Sequence, residues 1–241
     1  MVPLVLIGVG VLIALMFSGG GRGSAGTGGV SSGIDASQDS AQNADVLASM
    51  VIPEFRAVDQ SGAPRDRSIF TKPGRYTVLN FVFTRCITVC PITTGQMIRV
   101  QEAIKEIPGG AAGESGAGGA SGGGRFQLVS FSVDPTRDTP AALKAHAEGF
   151  ADFTLWTFLT SDAETVKGVV ERGLGFALEE EKGSKIDLGG GESMSNIIHP
   201  SKLLLISPEG KVVGMYRGLD EDDVGRLIER IRGISRERVG K

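Results

Sequence analysis

The nine-residue run Tyr76 to Thr84, YTVLNFVFT, constrains this chain more than any other stretch. Apolar and β-branched residues occupy consecutive positions instead of alternate ones. That is the signature of a strand covered on both faces. Such a strand needs packing partners above and below it, which points to a layered α/β domain rather than a one-faced antiparallel sheet.

The flanking segments agree. A first strand or hairpin is expected around Phe55 to Val58, turning at Gln60-Ser-Gly62. A helix from Pro91 to about Ile107 follows the central run, with Met97, Ile98, Ile104 and Ile107 at helical spacing. Phe126 to Val133 reads as another strand. A helix starts near Thr139 with Pro140 in its first turn, and Asp138 stands where a cap is expected. Trp156 to Thr160 is a short strand, and Ser161-Asp-Ala-Glu164 has the form of a capping box opening a helix to about Gly173. The charged, Gly-rich stretch from Glu179 to Asn196 reads as a loop. Leu203 to Ser207 and Val212 to Tyr216 flank a Pro208-Glu-Gly210 turn, and Glu221 to about Arg232 closes the chain as an amphipathic helix. An alternating pattern ending in a hairpin and a helix predicts one α/β domain, with a central mixed sheet flanked by helices.

The 36 glycines cluster in two stretches without a period, which argues for flexible inserts and against a fibrous protein. The expected organisation is an N-terminal membrane anchor or signal segment over 1–18, a Gly/Ser-rich tether over 19–50, a globular domain over 51–234 and a tail over 235–241. The low-complexity stretch 109–124 is an insertion that no packed core requires. The apolar run Val2 to Phe17 is short for a spanning helix, which needs about 20 residues. An uncleaved anchor is the preferred reading, with the domain facing a non-cytoplasmic space. No cysteine lies near the end of that run, so lipidation there is not expected. A net charge of −3 gives no case for a nucleic-acid partner.

The two cysteines of the chain, Cys86 and Cys90, fall where the central strand hands over to a helix beginning near Pro91. Three readings compete. A disulfide staple across so few residues is worth only about 2 kcal/mol. Dithiol redox chemistry suits thiols at a helix N-terminus beside Arg85, where a thiolate is favoured. Metal binding suits two soft thiolates, which select copper(I) or zinc, with an imidazole as third ligand. Spacing does not separate the last two. Of the two histidines, His146 sits among charged residues within a helix and reads as solvated or partly packed. His199 lies in the loop directly before Leu203 to Ser207, from which it can reach the mouth of the sheet that presents Cys86.

Three motifs in order, F-x-F-T-x-C-x-x-x-C-P over Phe81 to Pro91, Ser132-Val-Asp134-Pro-x-x-Asp138-Thr-Pro140, and a histidine eleven residues before the Gly of Pro-x-Gly, together resemble the Sco/SenC family. The resemblance runs from about Val51 to about Ile231. It implies a thioredoxin-like fold, a membrane-anchored protein facing the periplasm or mitochondrial intermembrane space, and a copper site made by Cys86, Cys90 and His199. The implied task is copper delivery to the dinuclear copper centre of cytochrome c oxidase, reduction of the cysteines at that centre, or both. The implied partner is the copper-bearing subunit of the oxidase or another copper carrier. The family pattern lacks the 109–124 insertion and the Gly189 to Gly191 run. Pro200 also stands where the family commonly has a small hydroxylated residue.

Asp134 ends a strand on the edge that presents the cysteines, where it would tune the site or the docking of a partner. The rival function is a thiol–disulfide oxidoreductase in which Cys86 and Cys90 are catalytic and no metal is needed. A peroxiredoxin-like activity is the weakest reading, because it leaves His199 without a role.

Overall fold

Among the residues that the computed structural model describes, 44–111 and 124–237, the strands are β1 (Arg56–Asp59), β2 (Pro64–Asp66), β3 (Tyr76–Val82), β4 (Phe126–Ser132), β5 (Trp156–Thr160), β6 (Glu179–Gly189), β7 (Glu192–Ile198), β8 (Lys202–Ile206) and β9 (Val212–Arg217). The helices are α1 (Val89–Lys105), α2 (Pro140–Ala147), α3 (Ala163–Lys167) with a wider π-helical continuation over Gly168–Gly173, and α4 (Glu221–Arg236). The expected anchor, most of the tether, the centre of the 109–124 insertion and the last four residues lie outside the described residues. Residues 44–49 are helical and Met50 is buried, so packed structure begins ahead of Val51.

One sheet runs in the order β2-β1-β5-β4-β3-β8-β9. Its three central strands are parallel, with β3 on β4 and β4 on β5. The outer pairings β1–β5, β3–β8 and β8–β9 are antiparallel, which makes the sheet mixed. Side-chain alternation along β3 sends Val78 and Val82 to one face and Leu79 and Phe81 to the other, all fully buried. The first face packs under α1, α2 and α4 through Met97, Ile104, Leu143, Leu227 and Ile231. The second packs against Phe55, Phe70, Val166 and Val170, and it also contains Cys86 and Cys90. This is the layered, thioredoxin-like α/β architecture expected of the chain.

Four local expectations are corrected. Residues 179–196 are not a loop: β6 and β7 form an antiparallel hairpin that turns on Gly189, Gly190 and Gly191, all with positive φ. Ile186 and Met194 are cross-strand partners, and both are buried against the second face of the sheet. With two anchoring side chains in an otherwise charged segment, the period-two signal is too thin to read. The helix at 163 is capped by Asp162, whose side chain accepts from the Thr165 N–H, and the Ser161 hydroxyl instead donates to the Arg56 carbonyl. Asp138 does not cap α2 either; Thr139 does, by accepting from the Ala142 N–H. The closing helix also runs one turn beyond Arg232, to Arg236, with Ile234 buried.

Candidate metal centre

Strand β3 ends at Val82, and the chain turns through Phe83, Thr84 and Arg85 to Cys86 at the C-terminal end of the parallel strands. That end is where open α/β sheets commonly place their ligands. Helix α1 then starts at Val89. Its N-cap residue, Thr88, makes no side-chain capping bond. The Cys86 sulfur takes that role, accepting from the Cys90 N–H at 3.3 Å. The Thr88 hydroxyl lies 3.9 Å from the same sulfur. The first turn of a helix leaves N–H groups without internal partners, and an anion is favoured there.

His199 arrives from the far side of the sheet. The antiparallel register Leu79↔Leu204 and Thr77↔Ile206, continued past the strand end, brings His199 level with Thr84. Its Nε2 lies 3.5 Å from Cys90 Sγ. Its Nδ1 lies 3.3 Å from the Pro200 carbonyl oxygen. In the tautomer that donates Nδ1–H to that carbonyl, Nε2 would offer its lone pair to a metal ion, the arrangement that suits a ligating histidine. The Phe83 ring meets the imidazole edge-on, with centroids 5.5 Å apart, and holds its plane.

The three ligand atoms of Cys86, Cys90 and His199 all lie within 4.8 Å of one another. Among the described residues this is the single cluster of three or more His, Cys, Asp or Glu side chains placed to hold a metal ion. Both thiols are free. They divide one proton unequally. Cys86 is held down to about 3, first by a hydrogen bond from the Cys90 thiol, against the opposing pull of burial, and then by His199 and the N–H groups of Cys90 and Thr88. Cys90 is pushed up by that same hydrogen bond and by burial. The centre therefore offers two sulfurs that share one proton and one imidazole nitrogen, a soft donor set without a carboxylate.

Asp134, Asp138 and His146 stay outside the cluster. Asp138 is 1% exposed and accepts from the Thr84 hydroxyl at 2.6 Å, the Thr84 N–H at 3.2 Å and the Ser132 hydroxyl at 2.5 Å. Burial pushes its carboxyl upward, against those hydrogen bonds. It therefore ties the start of the cysteine loop to the end of β4. The sequence supplied both Thr84 and Asp138 inside motifs, but nothing in their spacing indicates that they bond to each other. Asp134 is buried and pairs at 3.1 Å with the exposed Arg137. His146 packs edge-on against Phe150, and burial pushes it downward. Phe83, behind the imidazole, falls inside the F-x-F-T-x-C motif, but nothing in that spacing indicates that its ring packs against His199.

The SCO1/SenC family model matches residues 43–236. The SCO1 protein homolog of Bacillus subtilis (strain 168) is 28% identical over 185 residues, covering 76% of this chain and 82% of the relative. Among solved structures, Arabidopsis thaliana ScoI with copper bound superposes with a TM-score of 0.57 at 22% identity, covering 78% of this chain and 99% of that one. BsSco, described through a disulfide switch and as a member of the Sco family of cytochrome c oxidase assembly proteins, superposes with a TM-score of 0.58. It is 24% identical, covering 78% of this chain and 94% of that one. Among the described residues, no helix is long and apolar enough to cross a membrane.

Proposed function

Because the chain belongs to the SCO1/SenC family, we propose that it is a copper chaperone that delivers the ion to the dinuclear copper centre of cytochrome c oxidase during assembly. The observation that carries this reading is the convergence of Cys86 Sγ, Cys90 Sγ and His199 Nε2 within 4.8 Å. Copper(I) is the cargo. It accepts three soft or borderline ligands readily, whereas a structural zinc site uses four. A three-ligand centre leaves one side of the ion open to ligands from a recipient. Binding requires Cys90 to give up its proton, so copper loading releases a proton and weakens as pH falls. The N-terminal apolar run supports tethering to a membrane, with the domain on its non-cytoplasmic side.

The titration of the reduced, full-length chain with copper(I) under anaerobic conditions tests this. One equivalent is expected to bind. Cys86→Ser or Cys90→Ser should abolish that equivalent, and His199→Ala should weaken it by tenfold or more. Unchanged stoichiometry and affinity in all three variants would refute the site.

A second reading has its own supporting observation, the thiolate–thiol pair at Cys86 and Cys90. In this reading the Cys86 thiolate attacks one sulfur of a partner disulfide, forming a mixed disulfide and releasing a partner thiolate. Cys90, losing its proton, then attacks Cys86 Sγ and frees the second thiolate. The partner gains two electrons, and a Cys86–Cys90 disulfide forms. His199→Ala separates the two readings, because thiol exchange should survive a substitution that cripples copper binding.

A further inference from the structure

Eight large apolar residues are exposed among the described residues; three of them adjoin the ligand residues in the chain, and a fourth joins them through a packed loop. Ile87 (71% exposed) follows Cys86 directly, Ile92 (52%) lies two residues past Cys90, and Ile198 (46%) precedes His199. Leu219 (48%) joins them through its neighbour Gly218, whose N–H donates to the Ser201 carbonyl at 2.8 Å. A Cβ at Gly218 would stand 3.2 Å from the Thr93 methyl, so this loop is pressed against the first turns of α1. The concentration has no folding reason. None of the four belongs to either core, and exposed apolar residues are normal only when they stand singly.

The ligand atoms themselves are recessed. Cys86 is 9% exposed and Cys90 1% exposed. An acceptor that removes a metal ion by ligand exchange must bring its own donor atoms within bonding distance of that ion. Any such acceptor therefore has to cover the ring of Ile87, Ile92, Ile198 and Leu219. The only charged side chain from 85 to 92 is Arg85, which is exposed and makes no ion pair with a described residue.

We infer that this apolar ring is the docking surface for the copper acceptor: a globular protein whose own thiol-bearing loop is bordered by apolar side chains, with acidic residues placed to meet Arg85. The inference rests on the chaperone reading above and specifies how its partner is recognised. During transfer copper(I) changes neither charge nor electron count. Bonds from Cys86, Cys90 and His199 to the ion are replaced by bonds from the acceptor's thiolates. The acceptor's thiols release their protons, and one proton returns to the cysteine pair. Burying the ring at the interface removes its apolar surface from water, the main favourable contribution to such docking.

The test uses the full chain carrying Ile92→Glu and Leu219→Glu together. These exposed positions hold no ligand, and thermal melts check that the variant folds. The copper(I)-loaded protein is mixed with the reduced soluble domain of the oxidase subunit that carries the dinuclear copper centre, and separately with a small copper(I) chelator. The expected result is tenfold or slower transfer to the protein acceptor, with stoichiometry and transfer to the chelator unchanged. Equal transfer to the protein acceptor by wild type and variant would overturn the docking surface while leaving the chaperone reading intact. A wild-type chain that binds no copper would instead overturn the chaperone reading. Self-association of the wild type that the variant abolishes, or ring-dependent binding to anionic lipid vesicles, would assign the ring to a second copy or to a membrane and so overturn the inference.

Discussion

Two buried polar clusters bridge the same pair of parallel strands, and they are built differently. At mid-sheet, the paired residues Asn80 and Ser130 meet across β3 and β4, the Ser130 hydroxyl donating to Asn80 Oδ1 at 2.6 Å. The Trp156 indole N–H from β5 donates to the same hydroxyl at 2.9 Å. All three groups are neutral. Two registered residues further on, past the pair Val82↔Ser132, the bridging group is the carboxyl of Asp138. A charged group in the middle of the sheet would have to be desolvated completely, whereas at the strand ends loop N–H groups and hydroxyls converge to satisfy it. The neutral cluster holds strands together. The acidic one holds the loop that carries Cys86.

That contrast predicts separable phenotypes. The largest effect is expected for Asp138→Ala, which strands the Thr84 and Ser132 hydroxyls without their acceptor. It should cost about 3 kcal/mol in urea unfolding and also lower copper affinity, because the cysteine loop loses its tie. Ser130→Ala orphans the Trp156 indole N–H and should cost about 2 kcal/mol, with copper binding unchanged. If Ser130→Ala weakened copper binding as much as Asp138→Ala, the division of labour would be wrong. Asp138→Asn sharpens the comparison. Its amide oxygen can still accept from Thr84, and its NH2 can donate to Ser132. The cost should fall below about 1 kcal/mol, which would place the need at hydrogen bonding and not at negative charge.

The cysteine pair gives a pH test. With Cys86 held down to about 3, its alkylation by iodoacetamide should be nearly flat between about pH 5 and 8, where an ordinary thiol gains about tenfold per unit. Cys90 should stay unreactive throughout. The stability contributions have opposite signs. The depressed Cys86 stabilises the fold above the ordinary thiol value of 9.0 and loses that contribution as pH falls through 9 towards about 3. The raised Cys90 stabilises below 9.0 and loses its contribution as pH rises beyond it. The pair's net contribution should therefore peak near the ordinary thiol value and disappear in a Cys86→Ser/Cys90→Ser double variant. A pH profile identical in wild type and double variant would contradict the shared proton.

The smallest effect is expected at the insertion. Its flanks are already held by backbone bonds from the Arg125 N–H to the Gly109 carbonyl and from the Phe126 N–H to the Gly110 carbonyl. Deleting residues 112–123 should change unfolding free energy by about 0.5 kcal/mol or less, because loop-closure entropy varies only weakly with length.

What could be read ahead of the fold was local. The consecutive apolar positions of β3, the Pro208-Glu-Gly210 turn and the Cys86–Cys90 spacing each express themselves within a few residues, since backbone sterics and side-chain alternation act at that range. The β6–β7 hairpin failed that test because its two anchors, Ile186 and Met194, gain their meaning only from a core supplied by other segments. The role of Asp138 was hidden for a similar reason, as its main partner Thr84 lies 54 residues away.

The primary structure by itself determined a buried central strand, two thiols at its exit and a histidine placed before a later strand. Tertiary structure alone decided that His199 Nε2 and Cys90 Sγ, 109 residues apart, come to 3.5 Å. It also decided which thiol keeps the proton. The first depends on β8 pairing antiparallel to β3, and the second on the hydrogen bond between the two cysteines and on their burial. Such long-range contacts are set by the packing of the whole sheet, and no short window of residues encodes them.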